Sequence, residues 1–138
     1  MYFGLGKIGA TLVPINYRLA GPEIKYILSD CESKALVFSP EFTEVVESIR
    51  RDIPAKDFIV IAEDSPQWAG SYAAMIGAAS DREPQIDGGD DDTLTILYTS
   101  GTTGAKGRMP GHQFGVITRN LHGELQVDLP DFPHLACV

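Results

Sequence analysis

Three short runs rich in apolar and β-branched residues, at 10–15, 34–39 and 57–62, are separated by two runs with helical spacing. The first helical run, 22–31, carries Ile24, Ile27 and Leu28 and has Pro22 in its first turn, where proline's missing N–H costs nothing. The second, 40–51, carries Phe42, Val45, Val46 and Ile49, the i, i+3, i+4, i+7 pattern of one buried helix face. Parallel strands need a crossover between them, and crossover helices cover the sheet. The alternation therefore predicts an α/β fold of three layers, a mostly parallel sheet with helices on both faces.

The rest of the chain extends that pattern. Tyr2, Phe3, Leu5 and Ile8 are spaced for one apolar helix face, and Gly9 stands where a helix would end. A small helix is expected at 71–79, a polar linker at 81–92 and another strand at 93–99. A helix interrupted by Gly115 is expected at 112–124. The organisation that follows is an α/β subdomain over 1–80, the linker, and a strand with its following segment over 93–138.

Chemistry concentrates where the strand 93–99 ends. Thr99, Ser100, Gly101, Thr102, Thr103, Gly104, Ala105, Lys106 and Gly107 follow one another. Glycine tolerates positive φ and carries no side chain to hold an anion away, so such a loop can turn its amides toward a phosphate. The hydroxyls add short donors and Lys106 adds a positive charge. A flexible glycine/serine connector is the plainer alternative. In parallel sheets ligands bind where loops leave the carboxyl ends of strands, which is where this loop falls.

The loop is not a Walker motif. That motif needs a hydroxyl directly after the lysine to hold magnesium, and Gly107 stands there. Nor does the chain carry the Gly-x-Gly-x-x-Gly of dinucleotide folds.

What Tyr98-Thr99-Ser100-Gly101-Thr102-Thr103-Gly104 does resemble is the phosphate-binding motif of the adenylate-forming superfamily. That superfamily contains acyl-CoA synthetases, luciferases and peptide-synthetase adenylation domains; its pattern is Tyr-Thr-Ser-Gly-Thr-Thr-Gly-x-Pro-Lys-Gly, followed by a Thr-His that His112 echoes. Upstream, Lys7-Ile8-Gly9-Ala10 and Val13-Pro14-Ile15-Asn16-Tyr17-Arg18-Leu19 resemble an earlier motif of the family, and the stretch from Glu23 to Asp30 resembles its next helix. The Asn-x-Arg-Leu form is closer to fatty-acyl or aryl CoA ligases than to peptide-synthetase modules. Three departures stand out, one of them that Arg108 to Val127 is compressed relative to the family's long helix after the loop. The proline before the lysine is absent, and Pro133 intrudes in Leu129-Pro130-Asp131-Phe132-Pro133-His134, which otherwise resembles Leu-Pro-x-Phe-His.

The resemblance implies an ATP-dependent carboxylic acid–CoA ligase, which forms an acyl-adenylate and then a thioester. It implies ATP/AMP, Mg2+ and CoA as cofactors or co-substrates, with Thr99, Ser100, Gly101, Thr102, Thr103, Gly104 and Lys106 at the phosphates. Thr102 would meet the magnesium-bound phosphate, and His134 would border the acid pocket. No catalytic base or nucleophile is expected, because a carboxylate is already ionised at neutral pH. The chain has no counterpart of the family's adenine-binding Tyr-Gly-x-Thr-Glu, its ribose-binding aspartate or its C-terminal lysine. The expectation is a fragment of such a ligase, inactive in isolation. The alternative is a non-catalytic α/β remnant or interaction module that keeps a vestigial loop.

Composition narrows the partners. The formal net charge is −8, from 19 acidic and 11 basic residues, the wrong sign for a nucleic-acid surface. Asp90-Asp91-Asp92 reads as a solvated strand entry rather than a cation site. Cys31 and Cys137 have neither metal nor redox spacing, which suits a reducing, cytoplasmic setting. No apolar run approaches the ~18 residues of a membrane span. His112 and His122 are expected on a helix surface, Lys7 on the polar side of its helix, and Trp68 as an anchor for the helix that follows it. Arg18 is expected to pair with a carboxylate and lock the turn after Pro14.

Overall fold

A computed structural model describes residues 2–84, 93–100, 114–120, 125–126 and 134–137. Its elements run α1 (Tyr2–Lys7), β1 (Thr11–Pro14), α2 (Gly21–Asp30), β2 (Ala35–Phe38), a 3-10 turn (Pro40–Phe42), α3 (Thr43–Ile49), β3 (Asp57–Val60), β4 (Gly70–Ser71), α4 (Tyr72–Ala78), β5 (Thr93–Ser100), β6 (Phe114–Asn120), β7 (Leu125–Gln126) and β8 (His134–Cys137). The strands form one sheet in the order β4-β3-β2-β8-β1-β5-β6-β7. From β4 to β5 every neighbouring pair is parallel. Among the described residues only β5–β6 and β6–β7 are antiparallel.

Alternation along each strand sorts its side chains by face. Val13, Ile15, Leu36, Phe38, Val60 and Ile96 join Ile24, Ile27 and Leu28 of α2 and Val46 and Ile49 of α3 in one buried cluster. In α2 and α3 the apolar positions read from spacing are thus the ones that pack. The intervening strand residues Leu12 and Val37 are also buried, at 7% and 2% exposure, so the sheet is covered on its second face too.

Local chemistry explains several boundaries. Gly9 adopts φ 63° as the chain leaves α1, a conformation that a Cβ would strain. α2 lacks a side-chain N-cap at Ala20, but Glu23 reaches back and accepts a bond from the Ala20 amide at 2.8 Å, half of a capping box. Its other end closes as a Schellman motif: Ser33 N–H donates to Leu28 O at 3.0 Å and Glu32 N–H to Ser29 O at 3.3 Å. The residue at the left-handed position of that motif is Glu32, with φ 48°.

The structure departs from the sequence reading in several places. The segment expected as a helix at 112–124 contributes strand β6 instead. Phe114, Val116, Ile117 and Thr118 are strong β formers, and the open edge of β5 supplies a partner for every one of them. β8 was not anticipated, and it inserts between β1 and β2. The run 40–51 is split into a 3-10 turn and α3. Among the described side chains of this run Leu5 is buried, while Phe3 and, just past α1, Ile8 are 84% and 52% exposed; a six-residue helix is too short to bury a full stripe. Arg18 finds Tyr17 rather than a carboxylate: Nε donates to the phenol oxygen at 3.1 Å, and the guanidinium stands 5.4 Å from the ring centroid.

Trp68 is an anchor, though onto the sheet and α3 rather than onto α4. It stacks on Phe38, meets Phe58 edge-on, with both centroids 5.8 Å away, and lies under the Arg50 guanidinium at 5.1 Å. Arg50 is itself held by both oxygens of Glu47 at 3.0 Å.

Candidate phosphate-binding site

The loop that carries the chemistry is framed by β5 and β6. Thr99 pairs with Gly115 and Ser100 with Phe114, so residues 101–113 connect two antiparallel strands. Gly101, Thr102, Thr103, Gly104, Lys106, His112 and the acidic triplet at 90–92 lie outside the described residues, as does His122. Thr99 and Ser100 are placed, at the carboxyl end of β5.

That end projects beyond its neighbour. Leu12 of β1 is level with Thr95 of β5, which sets Pro14, the last residue of β1, level with Leu97. Tyr98, Thr99 and Ser100 therefore overhang β1 by about 10 Å at a strand's rise per residue. The chain leaving β1 crosses by way of α2 toward β2, whereas the chain leaving β5 turns to β6 on the other side. Divergent exits at the carboxyl ends of adjacent parallel strands leave a crevice between them, the usual ligand position in such sheets.

Toward the amino ends of β1 and β5, two side-chain bonds tie the strands together. Thr11 Oγ1 donates to Thr93 O at 2.8 Å, and Thr95 Oγ1 donates to Leu12 O at 2.9 Å, both in buried surroundings. These hydroxyls staple β1 to β5 where a register shift between Thr93 and Thr95 interrupts regular pairing on the other side of β5. Behind β1, the Asn16 carboxamide oxygen accepts a bond from the Arg18 amide at 3.0 Å. That turn leaves Tyr17 and Arg18 exposed on the same end of the sheet. Arg18 thus lies exposed just beyond the carboxyl end of β1.

On the α2 face, the Tyr98 hydroxyl donates to Asp30 Oδ2 at 2.7 Å. Burial first, and then this bond, raise the Tyr98 pKa, so the phenol stays protonated at every ordinary pH. Cys31, fully buried beside it, is pushed up to about 12, chiefly by burial. It is an inert thiol, not a nucleophile. His134 opens β8 opposite Thr11, at the amino end of the parallel strands, and Ser100 lies toward their carboxyl end.

The donor set of residues 99–107 contains hydroxyls, glycine amides and a lysine, and no carboxylate. Such a set suits a phosphate; a magnesium ion here would have to be shared with phosphate oxygens.

Comparison with known proteins decides the family. Residues 1–127 match the family described as AMP-binding enzyme. The chain belongs to that family. Over 119 residues it is 38% identical to the long-chain-fatty-acid–CoA ligase FadD13 of Mycobacterium tuberculosis, an alignment covering 85% of this chain and 21% of that protein. It is 39% identical over 105 residues to the indoleacetate–CoA ligase of Aromatoleum aromaticum, covering 74% of this chain and 20% of the relative. Among solved structures, the anthranilate CoA ligase AuaEII in complex with anthranoyl-AMP superposes with a TM-score of 0.75 at 30% identity, covering 87% of this chain and 22% of that one. The N-terminal domain of FACL13 from Mycobacterium tuberculosis gives a TM-score of 0.69 at 35% identity, covering 87% and 27%. The chain spans about a fifth of the length of the curated relatives it matches.

Proposed function

We propose that the chain forms the phosphate-holding part of an ATP-dependent carboxylic acid–CoA ligase. The observation that carries this is the projection of Thr99 and Ser100 past the end of β1, into a loop of glycines, hydroxyls and Lys106. The CoA ligases among its relatives support the reaction class.

In that reaction the acid's oxygen attacks the α-phosphorus of ATP, an acyl-adenylate forms and pyrophosphate leaves; the acyl group then passes to the CoA thiol. Such a displacement asks the protein for positioning and charge neutralisation rather than proton transfer. Thr99, Ser100, Thr103 and the amides of Gly101 and Gly104 would hold the β- and γ-phosphates. Lys106 would neutralise their charge, and Thr102 would meet the phosphate that carries magnesium. Magnesium, when bound, screens the phosphate oxygens and so eases nucleophilic approach. For His134, a place beside the acid is supported by the resemblance of 129–134 alone.

The same proposal treats 1–80 as an α/β subdomain joined by the 81–92 linker to the phosphate-loop strand, in a cytoplasmic setting. The buried Cys31 thiol suits a reducing compartment, and no helix among the described residues is long and apolar enough to cross a membrane.

The purified 138-residue chain is expected to bind inorganic pyrophosphate weakly by calorimetry. It is also expected to show no carboxylate-dependent ATP–pyrophosphate exchange, because the adenine-binding motif is absent from it. Orientation of bound reactants alone supplies ~7–11 kcal/mol of such barriers. Absence of pyrophosphate binding would defeat the phosphate assignment. Exchange activity would defeat the claim that this chain needs further protein to react.

A further inference from the structure

Past Leu97, β5 loses the support of β1, because the register Leu12 to Thr95 sets Pro14 level with Leu97. Beyond the packing of the Tyr98 ring against the core, two ties are placed among the described residues. One is the ladder to β6, through Tyr98 with Val116, Thr99 with Gly115 and Ser100 with Phe114. The other comes from the sheet face, where the Tyr98 hydroxyl meets Asp30 Oδ2 at 2.7 Å. Asp30 ends α2 and is itself fixed, because the Schellman closure through Leu28, Ser29, Glu32 and Ser33 pins that last turn. Ile27 and Leu28, one turn back, are buried at 1% and 0% exposure. The acceptor, itself exposed, is therefore carried on a helix turn anchored in the core, while the donor sits at the threshold of the loop.

We propose that Tyr98 is a positioning residue for the phosphate loop, acting through the hydroxyl it donates to Asp30. A two-strand ribbon twists and flexes more than the interior of a sheet. A tether on its face sets the angle at which Thr99 and Ser100 leave the sheet, and thereby where the donors beyond them point. Hydroxyl-to-carboxylate bonds are short and directional, which suits a tether better than an apolar contact would. The proposal rests on the phosphate reading above and adds to it a residue that touches no ligand.

The test uses the 138-residue chain with four variants: Tyr98→Phe, Asp30→Ala, their double, and Asp30→Asn, which keeps an acceptor oxygen. Amide hydrogen exchange at residues 98–100 is read without ligand against exchange in β2 and β3, and inorganic pyrophosphate binding is read by calorimetry. Tyr98→Phe and Asp30→Ala should each speed exchange at 98–100 by about two- to tenfold relative to β2 and β3, and weaken pyrophosphate binding by a similar factor. The double variant should be no worse than either single, and Asp30→Asn should recover most of the loss. Uniformly faster exchange across all strands, or additive single effects, would overturn the proposal by showing a generic packing contact. Variants that bind pyrophosphate as tightly as the parent would overturn it as well. A parent chain that binds no pyrophosphate overturns the phosphate reading instead. In that case exchange at 98–100 still decides the tether, unchanged exchange in Tyr98→Phe counting against it and faster local exchange for it.

Discussion

At the scale of single residues, Lys106 is the sharpest test of the proposed site. Relative to the family pattern the proline before it is missing, which moves the ammonium by up to about 3.5 Å along the chain, more than a hydrogen bond tolerates. A misplaced charge-assisted contact forfeits about 1.5–3 kcal/mol, so pyrophosphate binding is expected near ~1 mM. Lys106→Ala should then change the affinity little, whereas inserting proline between Ala105 and Lys106 should tighten it. Calorimetry of the three forms decides this, and loss of micromolar binding in Lys106→Ala would mean that the short loop is a working variant. Cys31 gives a second test. Burial lifts its pKa from an ordinary 9.0 to about 12, so the unfolded chain ionises first as pH rises. The thiol leaves stability untouched below pH 9 and erodes it between 9 and 12. Urea midpoints should therefore fall more steeply over that window in the parent than in Cys31→Ala, with Tyr98 contributing loss of the same sign in both.

At the scale of elements, α2 carries the most information about what the sequence optimises. Its buried face was legible from Ile24, Ile27 and Leu28, and its start from Pro22 and Glu23. Its end was not, because no glycine marks it; Glu32 takes the left-handed position at φ 48°, where a Cβ costs up to ~1 kcal/mol. Glu32→Gly should raise unfolding stability by about 0.5–1 kcal/mol in urea titration, and a loss would mean that the carboxylate makes a compensating contact. The helix expected at 112–124 failed for a different reason. Phe114, Val116, Ile117 and Thr118 suit a strand better than a helix, yet the deciding term is the ladder to β5, and a strand's value depends on the partner the fold supplies.

At the scale of the whole molecule, apolar side chains remain on the surface. α4 buries none of its residues, and Tyr72, Met75 and Ile76, one stripe at helical spacing, are 39%, 50% and 58% exposed. Ile61 and Leu97 add 47% and 39% elsewhere. Exposed contiguous apolar surface favours association. Met75→Lys is expected to lower self-association in sedimentation while shifting stability by no more than about 0.5 kcal/mol. A loss well beyond that would show that Met75 supports the fold through the cleft it lines with Phe58, Trp68 and Gly70.

The α/β class, the packed faces of α2 and α3, the parallel run of β1, β2 and β3, and the family followed from the sequence, because each is written in local periodicity or in a contiguous motif. Gly9 could be placed at its turn for the same reason, since only the backbone next to it is involved. Strand order could not be read that way. That β8 separates β1 from β2, that β6 pairs back onto β5, that Trp68 lies between Phe38 and Arg50, and that Tyr98 reaches Asp30 across 68 positions of chain are all long-range outcomes. Each depends on which surfaces remain open once the local elements have formed, and that competition is settled only when the elements pack together.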